Sequence, residues 1–458
     1  MAFFDAVQPS TAAHAVPDLQ HTTIRPTWHR RRCQHALVAI VLACALPVSP
    51  PATAAETRLT LDEALRLAEA WSRQLPAQDA AVTAADEAAV SAGEQPDPVL
   101  KVGVDNLPVN GGDRFRIGAD FMTMLRVGVA QEFISAEKRD LRRQKAQSEA
   151  ARERVARQSL RANLQRDTAL AWIERYFADR QRDVLVAQLD EARLAVEGAE
   201  ISYRTGRGNT VDIAIARAAL EGLHDRQLQL DRQRQIASLQ LTRWIGEAAV
   251  RELADPPDWT FLAEVSYARG DFDHTLQRHP ALTLLAAQER TAMLDSKIAA
   301  AGKRPDWTWE LSFAQRGPGF ANMISLGVSI PLPVAPSSRQ DREIAAREAL
   351  VEQLRAQRDD ALRAHATELR VMGAEWNNFG ARIRRVDEVL LPLARERTAA
   401  AQAAYRSGSG SLTAVVDARR NEVDVRAQRL ELEREQARNW AQLKYLVPQN
   451  SHPMEDSP

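Results

Sequence analysis

Cysteine is almost missing from this sequence. The 458-residue chain has two, at positions 33 and 44, and none after them. Disulfides, thiolate metal ligands and cysteine nucleophiles are therefore excluded from everything beyond residue 44. Long apolar runs are missing too: after residue 46 no stretch approaches the ~18 consecutive apolar residues of a spanning helix. Aromatics make up only 5%, so nothing demands one large globular core. The formal net charge of −1 gives no overall pull toward nucleic acid or an anionic membrane. The spacings of a phosphate loop, a nucleophile elbow, H-E-x-x-H and C-x-x-C are all absent, which argues against an enzyme. His274 and His279 stand beside Pro280 and read as surface, and Met122 and Met124 read as barrel strand or its loop; no metal site and no cofactor is expected.

What is there begins with a leader. Arg30, Arg31 and Arg32 precede an apolar run, Ala36 to Leu46, then Pro47, Pro50 and Pro51, then Ala52-Thr53-Ala54-Ala55. A basic start, a short apolar stretch and an A-x-A site describe a secretory signal peptide, expected over residues 1–54 with an over-long N-terminus. A competing reading makes Val41-Leu42-Ala43-Cys44 a lipobox and Cys44 a lipidated residue; the bulky Leu42 and the A-x-A site after it disfavour this. An exported chain without a spanning helix is either soluble in the periplasm or crosses the outer membrane as strands.

The remainder is one unit written twice. YRTGRGNTVDIAIAR begins at Tyr203 and YRSGSGSLTAVVDARR at Tyr405. A second marker repeats in the same order: SAGEQPD from Ser91 and AAGKRPD from Ala300. Each repeat reads as helix, AG-x-x-PD, strand, loop, strand, long helix, YR-x-G turn, helix. In the strands Leu100, Val102 and Val104 alternate with Lys101, Gly103 and Asp105, and Leu125, Val127, Val129 and Phe133 form a file that Gln131 interrupts. Trp307, Trp309, Leu311 and Phe313 oppose Thr308, Glu310, Ser312 and Ala314; Ile324, Leu326, Val328, Ile330 and Leu332 form the fourth file. Such alternation suits a membrane barrel or half-buried hairpins on a soluble core. Four strands cannot close a barrel alone, so either these are two soluble hairpins or several copies pool their strands.

Long helices are expected over about residues 137–205 and 338–407, each roughly 100 Å at 1.5 Å per residue. The second carries a heptad-like stripe (Leu362, Leu369, Met372, Trp376, Phe379, Ile383, Val386, Leu390, Leu393) and Pro392 should bend it. Shorter antiparallel partners are expected over about residues 211–245 and 412–446, reached through turns that Gly206, Gly208, Gly408 and Gly410 make possible.

The doubled unit, LTLDEALRLA from Leu59, the AG-x-x-PD markers and the YR-x-G turns followed by an aspartate resemble the TolC-like outer-membrane efflux channels across nearly the whole mature chain. DNLPV from Asp105, FMTMLRVGVAQEF from Phe121 and AEKR from Ala136 resemble the members that serve heavy-metal pumps. The resemblance implies a mainly α fold with β: a homotrimer whose long coiled-coil α-helical barrel stands in the periplasm below a shared twelve-stranded outer-membrane β-barrel, four strands from each protomer. It implies a first repeat over residues 55–250, an equatorial connector over 251–279, a second repeat over 280–447 and a tail over 448–458. Its partners would be a periplasmic adaptor, an inner-membrane pump of the resistance-nodulation-division type and outer-membrane lipid, with no nucleic acid.

By the same resemblance the YR-x-G turns form the periplasmic tip and gate. Asp212 and Asp417 match acidic positions that ring the entrance, and Tyr203, Tyr405, Arg204 and Arg406 are candidates for its lock. Gly206, Gly208, Gly408 and Gly410 form the turns that would dock the adaptor. Ala414 and Gly410 depart from the family's acidic and arginine positions, which leaves the lock open, with Arg207 a further candidate. Asp212 is also placed to favour a helix N-terminus. The function expected is a passive exit duct for heavy-metal cations; the alternatives are a soluble periplasmic coiled-coil adaptor or scaffold, and a channel for drugs or organic compounds.

Overall fold

The computed structural model describes residues 58–206, 208–257, 276 and 279–446. The expected leader with Cys33 and Cys44, Arg207, His274, the tail from residue 447 and most of the expected connector lie outside the described residues. Helices α1 (Leu61–Trp71) and α2 (Gln74–Ser91) lead to strands β1 (Val99–Asp105) and β2 (Met124–Phe133), then to the long α3 (Ala136–Arg204) and its return α4 (Thr210–Ile245). The second half repeats the order: α5 (Pro280–Ala301), β3 (Trp307–Arg316), β4 (Met323–Ser329), α6 (Gln340–Arg385), α7 (Leu391–Arg406) and α8 (Leu412–Lys444).

The long helix is continuous because nothing stops it. Ser135 caps α3 by accepting the Lys138 N–H, no proline follows, and all 69 residues stay helical, about 100 Å of rise. Its counterpart does not run through. Pro392 has no N–H to give and crowds the preceding turn. The chain accommodates it by widening Val386–Leu390 into a π-helical segment, where the Leu391 N–H reaches the Val386 carbonyl. The expected bend is thus a local re-registration between α6 and α7. The stripe on this pair of helices is only partly covered: Leu369, Trp376 and Val386 are buried, whereas Leu362 and Leu393 are exposed.

One core holds the helices where α1, α3, α4 and α8 meet. Leu59, Trp172, Ile173, Leu241, Ala437 and Ala441 are fully shielded there, beside Trp440. The Trp172 indole N–H donates to the Leu59 carbonyl at 3.2 Å, and Leu59 itself bridges to the 252–254 segment. The buried Arg175 guanidinium is satisfied by Asp179, by the Ser238 hydroxyl and by the Ala249 carbonyl, as a desolvated charge requires.

The two expected hairpins form a single antiparallel sheet in the order β1-β2-β3-β4, joined by a β2–β3 ladder from Met124↔Arg316 to Phe133↔Trp307. Register places Val102, Val127, Phe313 and Ile324 in one row and Leu100, Val129, Leu311 and Leu326 in the next. All eight are exposed, most of all Ile324 and Leu326. The other face carries small and polar residues, with Lys101 paired to Glu310 at 2.5 Å and Asp105 to Arg126 at 2.6 Å. The Phe133 and Trp307 rings stack at 4.7 Å, so the aromatic end of the file is built across the repeat boundary. β1 and β4 are the outer strands, each with one hydrogen-bonding edge unused.

His279 does not lie at the surface, where its place beside Pro280 suggested it would. It is buried, caps α5 by accepting the Ala281 N–H at Nδ1, and lies with its ring 3.9 Å from that of His365 on α6. Burial first, then the neighbouring His365, push its pKa down to about 4, against a weaker pull from Glu368. A base whose folded pKa lies below its unfolded value binds its proton later than the unfolded chain does. Stability tied to His279 is therefore intact above about pH 6.5 and drains as pH falls toward about 4. Replacing His279→Asn, which keeps an N-cap acceptor, is expected to flatten that part of the stability–pH profile, as followed by thermal unfolding in circular dichroism.

Candidate functional site

Each helical hairpin must stop and reverse before it restarts, and the two stop and reverse in the same way. In the first, Thr205, Gly206 and Gly208 donate their N–H groups to the carbonyls of Ile201, Tyr203 and Ser202, each at 3.0 Å. In the second, Ser407, Gly408 and Gly410 donate to Ala403, Tyr405 and Ala404 at 3.0, 3.1 and 3.0 Å. The repeated tyrosine, arginine and glycine letters thus encode one backbone turn twice.

The four glycines do two different jobs. Gly206 and Gly408 take φ of +73° and +76°, the left-handed region, where a β-carbon is strained even in open space. Gly208 and Gly410 have ordinary φ but lie against the preceding helix. A Cβ on Gly208 would stand 3.0 Å from that of Ser202, and one on Gly410 would stand 2.9 Å from that of Ala404.

The restart differs between hairpins. Asn209 accepts the Asp212 N–H at 2.8 Å, and the Asp212 carboxylate accepts the Asn209 N–H at 3.3 Å, a reciprocal capping box. In the second hairpin Ser411 accepts the Ala414 N–H, and Ala414 has nothing to return. Asp212 is therefore engaged with its own helix start. Asp417, one turn further along α8, is exposed and forms no hydrogen bond or ion pair among the described residues.

The tyrosines also part company. Tyr405 packs into a small cluster where Ala199, Ala216 and Leu412 from α3, α4 and α8 are buried together, which holds the two turns side by side. Tyr203 is half exposed, and neither hydroxyl has a partner among the described residues. Arg204 reaches only the Glu200 carbonyl, at 3.4 Å, while Glu200 pairs with Arg217 at 2.8 Å. Arg406 is exposed without an ion pair among the described residues. The lock candidates are thus gathered at one end but not bonded to one another.

The links that do join the hairpins were not singled out in the sequence. Arg226 pairs with Asp424 at 3.5 Å and Arg419 with Glu191 at 3.3 Å, while Glu422 is buried between Arg419 and Arg426. Further along, a glutamine-rich cleft of about 710 Å³ opens between α3, α4 and α8, lined by Gln181, Gln188, Gln229, Gln233 and Gln428. Burial holds the carboxyl of Glu431, on its wall, above the usual range. Arg226–Asp424 and Arg419–Glu191 join residues far apart in the chain, so no local spacing announces them.

Among the described residues no helix is long and apolar enough to cross a membrane, and no His, Cys, Asp and Glu side chains cluster to hold a metal. The family model described as outer membrane efflux protein matches residues 64–247 and 272–447. The chain is an outer membrane efflux protein.

Solved structures share its fold. A structure of CusC superposes with a TM-score of 0.74 at 14% identity, covering 86% of this chain and 93% of that one. VceC from Vibrio cholerae gives 0.69 at 17% identity, covering 84% and 95%. A membrane protein from Pseudomonas aeruginosa gives 0.72 at 16% identity, covering 84% and 89%. No curated protein sequence matches the chain. An outer membrane efflux protein is a channel and not an enzyme; its strands belong to the outer membrane and its helices to the periplasm, and the family implies trimeric assembly. The exposed apolar rows of this efflux protein therefore face lipid.

The turn geometry yields a direct test. A β-branched residue at a left-handed position costs about 1–2 kcal/mol, so Gly408→Val is expected to fray the second turn and speed amide exchange at Gly410. Gly408→Asn, which tolerates that conformation, is expected to change exchange little. Equal exchange in both variants would contradict the role assigned to the φ of +76°.

Proposed function

We propose that this efflux protein is the passive exit duct of a tripartite system of the resistance-nodulation-division type, and that heavy-metal cations are what it passes. The two YR-x-G turns would dock a periplasmic adaptor, and an inner-membrane pump would supply both substrate and energy. The observation that carries the gate reading is Asp417: an exposed carboxylate with no partner of its own, one turn beyond the tip of the second hairpin. Copies of one such carboxylate around a narrow axis make a concentrated negative potential, which draws cations and repels anions. Asp212 is the weaker pore candidate, because its carboxylate already returns a bond to Asn209. Arg406, unpaired on the same tip, is the better lock candidate than Arg204, and Tyr405, held in the cluster with Leu412, is better placed to brace the closed turn than Tyr203.

The heavy-metal assignment rests on the DNLPV, FMTMLRVGVAQEF and AEKR stretches and on the cation-favouring tip. No designed ligand set is needed for it: a duct that held its metal tightly would not release it. In the repeat organisation proposed here, residues 55–250 and 280–447 each supply one strand pair and one tip hairpin, with 251–279 between them.

Channels of the Asp417→Ala variant in planar bilayers are expected to lose cation preference several-fold, read from the reversal potential in a salt gradient, with conductance retained. Unchanged selectivity would remove Asp417 from the pore. Strains carrying the pump with and without this chain, challenged in parallel with divalent metal salts and with organic drugs, decide the substrate class. Loss of resistance to drugs alone would overturn the heavy-metal reading.

A further inference from the structure

The start of α3 is fastened to the other repeat. Lys138 is buried, and its Nζ donates to the Asp306 carboxylate at 2.9 Å and to the Arg304 carbonyl at 2.5 Å. The seam continues through Arg304–Glu137 at 2.7 Å, Lys145–Asp295 at 2.8 Å and Ser148–Thr291 at 3.1 Å. Its cause lies in the sheet: Lys138 follows β2, Asp306 precedes β3, and the β2–β3 ladder brings the two together. As a result α5 is held between two long helices, α3 on one side and, through Glu289 with Arg355 and Arg358, α6 on the other.

The equivalent position in the first repeat is half filled. Asp97 matches Asp306 in the P-D marker, and α2 matches α5. Yet among the described residues the polar links of α2 to another helix run to α3, by Asp86–Arg154, Asp79–Arg157 and Gln78–Glu153. Asp97 is exposed and has no partner among the described residues. On the other free edge, β4 is followed by α6, whose start carries Arg339 at the N-cap and Arg342 as the third helical residue, the place Lys138 holds in α3. Both arginines are exposed and without ion pairs among the described residues.

We propose that Asp97 is a docking site for a second copy of this chain, whose Arg339 and Arg342 take the place that Lys138 takes against Asp306. Pairing β4 of one copy with β1 of the next brings the chain that enters one copy's α6 to the side of the other's Asp97, as β2–β3 pairing brings α3 to Asp306 inside the chain, with the longer segment 330–339 in place of residues 134–135. The opposite charges on two unpartnered positions complete the match. An exposed ion pair contributes little, but one covered by the closing helices resembles the buried Lys138 pair and would fix which copy's edge meets which. The inference rests on the trimeric channel reading and adds the contact that sets its register.

The test uses full-length protein in outer membranes, with Cys33→Ala and Cys44→Ala removing the native thiols. Asp97→Cys combined with Arg339→Cys or with Arg342→Cys is treated with a short bis-maleimide. At least one pair is expected to give a ladder of covalent dimers and trimers on denaturing gels, while single-cysteine variants stay monomeric. Asp97→Arg is expected to lower the unheated trimer band several-fold, and adding Arg339→Asp with Arg342→Asp is expected to restore it. A normal trimer band with no ladder from either pair and no effect of Asp97→Arg overturns the contact and leaves the trimer reading standing. Absence of trimers from the unaltered protein overturns both.

Discussion

An open sheet edge cannot face hydrocarbon, and that constraint organises this molecule. β1 and β4 each leave one row of backbone N–H and C=O groups unused, while the sheet they bound turns a file of exposed valine, leucine, isoleucine and phenylalanine outward. In lipid each unsatisfied backbone group costs several kcal/mol, so the sheet exists there only as part of a closed wall. A chain with four strands must borrow the rest from copies of itself. The doubling of the sequence, the placing of the strands before each long helix, and the polar inner face all follow from building one wall out of repeated parts.

Below the sheet the energetics change character. Among the described residues the largest core is the one where Leu59, Trp172, Leu241 and Trp440 close around the junction of α1, α3, α4 and α8. Away from it the helices touch through small leucine clusters, through alanines and through arginine–carboxylate pairs, the pairs mostly half exposed and individually weak. Such a scaffold is pinned at one core and held elsewhere by many small contacts, which suits the tip gate proposed above. The tip cluster of Ala199, Ala216 and Leu412 is small for the same reason: it aligns two turns without welding them.

Much of this was legible in the letters. Freedom from proline set the length of α3 to within a residue or two at each end, and alternation marked all four strands, while leaving open whether their apolar files face outward or a soluble core. The duplicated turn was visible as a string before its matching hydrogen bonds were known. What stayed hidden was non-local. Nothing in the spacing of β2 and β3 says that they pair with one another, and Arg226–Asp424 joins residues that no window contains together. Pro392 signalled a disturbance but not its form, since a bend and a π-helical widening both answer a missing N–H. The candidate site was half legible: its residues gather at one end as expected, but the occupation of Asp212 by its own cap depends on backbone angles at Asn209 that the sequence does not state.

The unequal caps carry a mechanical meaning. One hairpin restarts on a reciprocated Asn209–Asp212 pair; its twin restarts on Ser411 alone, with alanine where the answering carboxylate would be. Around a closed ring of such chains, stiff and yielding ends must alternate. In the gate proposed above, an aperture framed this way has three-fold rather than six-fold compliance, and the yielding ends are the ones nearest the unpaired carboxylates.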